Sequence, residues 1–183
     1  MYVPGVRGSV AGSDGVGVIY LIRHARPVHS GVLLGAMDSP LADEHVEPCE
    51  LLVDRVWTSP LQRASLTAKL LFPSHEAVIV QGLAERGLGE WEGMSWAEVK
   101  ERRAEDAARA LEDWFAFTPH GGERWGQFVE RVSAVWLGVP RDGATAIVAH
   151  VGVNAVLHSL ATGADISSFQ QDYGEVVEIA IPD

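Results

Sequence analysis

Apolar positions fall in short runs bounded by turn residues, and these runs alternate with stretches of helical period. Residues 18–22 (Val-Ile-Tyr-Leu-Ile) form an apolar, β-branched run long enough for one buried strand. The run ends abruptly in Arg23-His24-Ala25-Arg26, and Pro27 stops regular pairing. Residues 28–41 contain Gly31, Gly35, Asp38, Ser39 and Pro40 and read as a long loop. Residues 42–53 predict a short helix, opened by Asp43 and interrupted by Pro48. A second strand is expected over 55–58. Ser59 then reads as a helix N-cap and Pro60 as the first helical residue, with the helix running over 61–71.

A third strand is expected over 77–80, followed by an acidic, glycine-containing loop over 83–93. Ser95 with Glu98 forms a capping-box pattern that opens a long helix to about residue 115. Residues 118–122 break it, and a second amphipathic helix runs over 123–137. Residues 144–149 form a fourth strand that again ends in a histidine, His150. A helix over 153–160 and a last strand over 176–181 complete the chain. Strands alternating with helices predict an α/β fold, a three-layer sandwich with a mostly parallel central sheet flanked by helices. Residues 18–183 read as one domain with a small helical cap at about 94–122, and residues 1–17 as a flexible N-terminal arm without the pattern of a signal peptide.

The chain has 183 residues, enough for one sizeable core, and its formal net charge is −11. Such a charge repels nucleic acid and anionic lipid, so neither is an expected partner. An anionic substrate would need a local cationic pocket. Cys49 is the only cysteine, so an internal disulfide is excluded and the usage suits a reducing cytoplasm. No apolar run is long enough to span a bilayer.

Two apolar strands far apart in sequence each end in a histidine, His24 and His150. In a parallel sheet both ends lie on the edge where ligands bind. Arg23 sits beside the first, and Arg63 lies in the first turns of the helix after the second strand. Two guanidinium forks and two imidazoles on one edge suit a phosphoryl group: the forks match its oxygens and an imidazole can attack phosphorus. The leaving oxygen then needs an acid, and the loop around Glu85 is the best source. No helix-spaced histidine pair or acid triad suggests a metal. His120 is the one other histidine of interest. Trp91, Trp96, Trp114 and Trp125 fall in or beside the cap and read chiefly as packing, with a stacking wall for an aromatic substrate as the sharper alternative.

These segments resemble the histidine phosphatase superfamily, the phosphoglycerate mutase-like proteins. Arg23-His24 is similar to the family's Arg-His-Gly signature, which implies that His24 is the phosphorylated nucleophile. Ser59-Pro60-Leu61-Gln62-Arg63-Ala64 with Thr67-Ala68 resembles its Ser-Pro-Leu-x-Arg-Ala-x-x-Thr-Ala element and implies Arg63 as a phosphate ligand. Leu83-x-Glu85 followed by residues 89–93 (Gly-Glu-Trp-Glu-Gly) resembles its acid loop and implies Glu85 as the general acid. Gly121-Gly122-Glu123, before Phe128 and Arg131-Val132, is similar to its return from the cap, and Val148-Ala149-His150 with Gly152 to its second histidine motif. The resemblance implies catalytic His24, Glu85 and His150, phosphate binding by Arg23, Arg63 and His150, and no metal or other cofactor. The pattern Pro27, Gly31, Gly35, Asp38, Leu41 is closest to α-ribazole-5′-phosphate phosphatases of cobalamin synthesis, which implies a phosphomonoesterase acting on a small-molecule phosphate ester. A mutase and a catalytically weak phosphate-ligand sensor stand as alternatives, and a homodimer is left open. The sensor reading is prompted by departures from the family pattern: Ala25 and Val151 in place of glycine, and Ala155 where an arginine is frequent. Ser30 also replaces an asparagine common in the mutases.

Overall fold

The computed structural model describes residues 6–7, 17–43 and 45–181. Six strands form one sheet: β1 (Val6–Arg7), β2 (Gly17–Arg23), β3 (Arg55–Thr58), β4 (Val78–Ile79), β5 (Ala144–Ala149) and β6 (Val176–Ile181). Their order across the sheet is β1-β6-β2-β5-β3-β4. Every pairing is parallel except β6 against β2. The sheet is therefore mixed but mostly parallel, with β2 and β5 at its centre. Val6 and Arg7 pair with β6 and Gly17 opens β2, so three residues of the segment expected as a loose arm lie in the sheet. The rest of that segment up to residue 16 falls outside the described residues.

Alternation along the central strands builds two apolar layers. Ile19 and Leu21 of β2 and Ile147 and Ala149 of β5 face one side, where they pack with Phe128 and Val132 of α4 (Trp125–Gly138) and with Val153, Val156 and Leu157 of α5 (Val151–Thr162). Ile22, Ala146 and Val148 face the other side, against Ala64, Ala68 and Leu71 of α1 (Gln62–Leu71). Helices on both faces of the sheet give the three-layer sandwich, the fold class expected from the order of elements.

The cap differs from the sequence reading. Instead of one long helix over 95–115, α2 (Trp96–Arg102) and α3 (Ala104–Glu112) meet at Arg103, which leaves the helical region at φ −139° and ψ 47°. No glycine or proline forces this break. Val99 of α2 and Ala107 and Ala110 of α3 bury against the fully enclosed Trp91, and a straight helix could not wrap that ring. Arg103 also pairs with Glu90 beside Trp91, at 2.7 Å. The Ser95–Glu98 capping box is present as expected.

Two other expectations change. The described residues of 42–53 form no helix. Cys49 instead donates its backbone N–H to the Leu71 carbonyl at 2.8 Å, and the partly buried Val46, Leu51 and Val53 pack on the α1 side of the sheet. The α1 helix starts at Gln62, and its side-chain acceptor is Asp38 from the distant loop, whose carboxylate takes the Gln62 N–H at 2.8 Å. Ser59, expected to cap that helix, serves the site described below.

The cap is tied to the return segment by a close approach of backbones. Gly89 has φ +53°, and a β-carbon there would overlap the His120 carbonyl and the Gly121–Gly122 backbone. Gly89→Ala is therefore expected to destabilise the protein by about 3 kcal/mol, at the upper end for a point substitution. Urea unfolding monitored by tryptophan fluorescence checks this; a loss under about 1 kcal/mol would show that the two segments separate freely.

Candidate active site

The ends of β2 and β5 deliver His24 and His150 side by side. Their rings meet edge to face with centroids 5.1 Å apart, and both are buried. Arg63 reaches the same point from α1. Glu85 comes from the loop after the 3₁₀ turn Gln81–Leu83. Together with Arg23 these residues line one cavity of about 290 Å³. All five residues expected at the site thus meet in one place, at the carboxyl edge of the parallel strands.

The hydrogen bonds fix what each group can do. His24 Nδ1 lies 2.7 Å from the Ala25 carbonyl, which can only accept, so Nδ1 carries the proton and Nε2 keeps a lone pair. Burial, with Arg63 and Arg23 nearby, lowers the His24 pKa to about 3, so the ring is neutral at physiological pH. His150 Nε2 sits 2.7 Å from Ser59 Oγ. That oxygen already accepts the Leu61 N–H at 3.2 Å, and its own proton is free to point at Nε2. His150 Nδ1–H is then a donor, and it is buried without a protein partner among the described residues. Burial first, then His24 and the arginines, holds the His150 pKa well below its usual value.

The arginines are anchored from behind. The Arg63 terminal nitrogens donate to the Met37 and Gly35 carbonyls, both at 2.8 Å, while its Nε is buried without a protein partner among the described residues. Arg23 donates to the Gln171 carbonyl at 2.6 Å and lies over the Tyr173 ring at 3.9 Å. Its Nε is likewise buried without a partner among the described residues. Three buried donors on Arg23, Arg63 and His150 are unmet by protein. Buried donors are nearly always satisfied, so the cavity suits an anion with several oxygens.

Glu85 is set differently. Its two oxygens accept the Arg86 N–H at 2.9 Å and the Gly152 N–H at 3.1 Å, the latter in the first turn of α5. Desolvation raises its pKa above the ordinary carboxylate value, against the opposing pull of those N–H groups, Arg63 and Arg131. The carboxyl packs so closely on Gly152 that any β-carbon there would overlap it. This steric limit explains the glycine of the second histidine motif.

Several neighbours of the site had no role assigned from the sequence, although Thr67 stands in the Arg63 motif and Arg86 follows Glu85. Thr67 takes the Ala25 N–H at 2.9 Å and donates to the Arg63 carbonyl at 2.6 Å, which ties the loop after His24 to α1. Tyr173 supports Arg23. Arg86 is buried, with its guanidinium near the rings of Trp114 and Trp125 at 5.6 and 5.5 Å. Of the four cap tryptophans, Trp114 and Trp125 line the cavity, whereas Trp91 and Trp96 pack within the cap. His120 is exposed, pairs with Glu90 at 2.6 Å and does not line the cavity. Ala25 adopts no positive φ, so its backbone needs no glycine there. Ser30 and Ala155 do not line the cavity, and Val151 lines it from the first turn of α5. Among the described residues no group of three or more His, Cys, Asp or Glu side chains is placed to hold a metal ion, and no helix is long and apolar enough to cross a membrane.

The sequence matches the profile of the histidine phosphatase superfamily (branch 1) over residues 19–183. The chain belongs to that superfamily. Among solved structures it is similar to the alpha-ribazole phosphatase from Shigella flexneri, at 25% identity, with a TM-score of 0.78 and 90% and 93% of the two chains covered. The fold also matches mycobacterial glucosyl-3-phosphoglycerate phosphatase, at 19% identity, TM-score 0.71 and 90% of each chain. In sequence the domain is similar to 6-phosphofructo-2-kinase/fructose-2,6-bisphosphatase of Caenorhabditis elegans (26% identical, 74% of this chain) and to a bifunctional protein of Mycobacterium tuberculosis (37% identical, 60% of this chain). The chain spans about a third of the length of these curated relatives, 32% and 31%.

The lowered pKa of His24 makes the histidine phosphatase site acid-sensitive. An unfolded histidine takes up a proton near pH 6.5, but the buried ring does not until about pH 3. The unfolded state therefore binds more protons between these values. Stability is complete above about pH 6.5 and falls on acidification, by up to about 1.4 kcal/mol per pH unit for each such group. His24→Asn is expected to flatten the dependence of the urea midpoint on pH between 7 and 4. An unchanged slope would mean that the imidazole titrates normally.

Proposed function

We propose that the protein is a metal-independent phosphomonoesterase that hydrolyses a small-molecule phosphate ester through a phosphohistidine at His24. The observation that carries this reading is the pairing of a neutral His24, with its Nε2 lone pair free, and three buried nitrogens without a protein partner among the described residues, on Arg23, Arg63 and His150, which line the same cavity. Arg23, Arg63 and His150 Nδ1–H hold the phosphoryl oxygens. Nε2 attacks phosphorus, the ester P–O bond breaks, and Glu85 gives its proton to the leaving oxygen. The resulting carboxylate then takes a proton from water as that water attacks phosphorus. The P–N bond breaks, phosphate departs, and His24 returns neutral. A raised pKa suits Glu85 to the acid role, because it stays protonated to higher pH than an ordinary carboxyl.

The leaving group faces Trp114, Trp125, Phe128, Leu33 and Leu88, an apolar wall. Among the described residues the one cation there beyond Arg23 and Arg63 is Arg86, whose nitrogens are given to the carbonyls of Glu123, Trp114 and Phe117 at 3.0, 3.2 and 2.6 Å. A sugar acid's carboxylate would find no committed partner, which weighs against mutase chemistry. An aromatic leaving group fits the wall, and α-ribazole-5′-phosphate is the leading candidate, in keeping with the Shigella relative. Nothing in the site favours the sensor reading.

Rapid quench with radiolabelled substrate is expected to trap an acid-labile, base-stable phosphoenzyme that is absent from His24→Ala, and that variant should lose about 10⁴-fold or more in turnover. EDTA should leave the wild-type rate unchanged. A panel of phosphorylated metabolites including α-ribazole phosphate ranks the substrates. Full activity in His24→Ala would end the mechanism.

Glu85→Gln separates the acid from the nucleophile. For alkyl phosphates its kcat/KM should fall by about 10²–10⁴-fold. For p-nitrophenyl phosphate, whose phenolate leaves without a proton, kcat/KM should fall far less. In the wild type kcat/KM for alkyl phosphates declines as pH rises through the raised Glu85 pKa, and the variant should lack that limb. Equal losses on both substrates would remove Glu85 from the acid role.

A further inference from the structure

Glu85 has no rigid element beneath it. It lies in a loop between a 3₁₀ turn and the cap, and helix or strand geometry does not fix its position. What holds that loop is a set of contacts outside the cavity. From α4, Arg131 donates to three backbone carbonyls, that of Gly82 in the 3₁₀ turn at 2.9 Å and those of Ala84 at 2.7 Å and Glu85 at 3.1 Å in the loop. The same guanidinium makes a two-pronged pair with the Glu123 carboxylate, at 2.7 and 2.8 Å. Glu123 in turn donates its N–H to the Gly87 carbonyl at 2.8 Å, and its own carbonyl takes Arg86 Nε at 3.0 Å. The backbone on both sides of Glu85 is thus gripped, on one side by Arg131 and on the other through Glu123. Neither Arg131 nor Glu123 lines the cavity.

We infer that Arg131 and Glu123 are positioning residues that lock the catalytic acid in place, so that removing either weakens proton delivery to the leaving group without weakening phosphate binding. This inference rests on the phosphatase reading above. The physical basis is the tolerance of general acid catalysis: the carboxyl must lie within hydrogen-bond reach of the leaving oxygen, and an ångström of drift is costly. A planar guanidinium is suited to the task because its fixed fork reaches several acceptors at once, which a lysine ammonium on a flexible stem cannot do. Charge is a separate contribution. The groups acting on the Glu85 carboxyl are Arg63 from α1, Arg131 from α4, the Gly152 N–H from α5 and the Arg86 N–H from its own loop. Arg131→Lys keeps the positive charge and removes the fork, whereas Glu123→Gln keeps the shape and removes the pairing charge.

The test uses two substrates and two backgrounds. In the wild-type background, Arg131→Lys and Glu123→Gln are each expected to lower kcat/KM for an alkyl phosphate by about 10–100-fold. For p-nitrophenyl phosphate the loss should be under about threefold, and the dissociation constant for vanadate should stay within twofold. In the Glu85→Gln background either substitution should cost nothing further on the alkyl substrate, because the acid through which it acts is already gone. A merely structural role predicts the opposite: losses shared by both substrates, weaker vanadate binding, and the same cost with or without Glu85. Any of those patterns, or no loss in either variant, overturns the inference. If Arg131→Lys does not fold, Glu123→Gln decides alone. A wild-type protein with no activity on either ester would instead bring down the phosphatase reading itself.

Discussion

The site depends on gathering positive and donor groups out of water with nothing negative placed directly among them. Arg23, Arg63 and two imidazoles share a buried space in which Glu85 is the single acid among the described residues. Burying like charges is expensive, and the protein limits the cost in two ways. The imidazoles stay neutral. The guanidiniums lean on backbone carbonyls at Gly35, Met37 and Gln171 and, for Arg23, on the face of Tyr173. These are dipoles and a quadrupole, not counter-ions. The cluster therefore retains its attraction for an anion, and a tetrahedral oxyanion can complete it. A carboxylate paired to either arginine would make a more stable apo-protein and a weaker phosphate site.

That cluster also reconciles the phosphate binding proposed above with a chain whose formal net charge is −11. The long-range field repels anions, so the attraction must be local, and burial makes it so by lowering the dielectric around Arg23 and Arg63. The sheet supplies the means. β2 and β5 pair in parallel, from Val18 with Ala144 to Arg23 with Ala149, so both strands end at one level and His24 and His150 emerge together. A register slip of one residue would send each side chain to the opposite face and separate the rings.

The central strands, the flanking helices and the five site residues were legible in the sequence, for reasons that differ. The strands 17–23 and 144–149 are apolar on both faces because helices cover both, and such runs are plain in any sequence. His24, Arg23, Arg63, Glu85 and His150 lie at the ends of such elements or in recognisable motifs. What remained hidden depends on packing between distant segments. The antiparallel direction of β6 is set by the path of residues 163–175, which carries no periodic signal. The break at Arg103 reflects the shape of Trp91, since the local helical propensity there is unbroken. Ser59 resembles an N-cap because serine usually is one, yet Asp38 takes that place and frees the hydroxyl for His150. Tyr173 belongs to the site only through contacts across many residues of chain, whereas Thr67 and Arg86 lie near Arg63 and Glu85 in sequence and only their distant partners, the Ala25 N–H and the cap, were hidden.

The exchange between Ser59 and Asp38 shows why the long loop over 28–41 belongs to the chemistry although only part of it lines the cavity. Asp38 satisfies the first N–H of α1, and the neighbouring Met37 and Gly35 carbonyls hold the Arg63 guanidinium that the same helix carries. The loop therefore fixes the helix and its arginine as one body. Gly35 makes this possible: it has φ +51°, and a β-carbon there would strike the Glu92 carboxylate and the backbone at Leu88. Glu92 itself accepts the Ala36 and Leu88 N–H groups at 2.8 and 2.9 Å. Through one carboxylate the loop that seats Arg63 is joined to the loop that carries Glu85. In the proposed reaction these two residues serve opposite ends of the scissile bond, and this link references them to each other, as a reaction needing both in register requires.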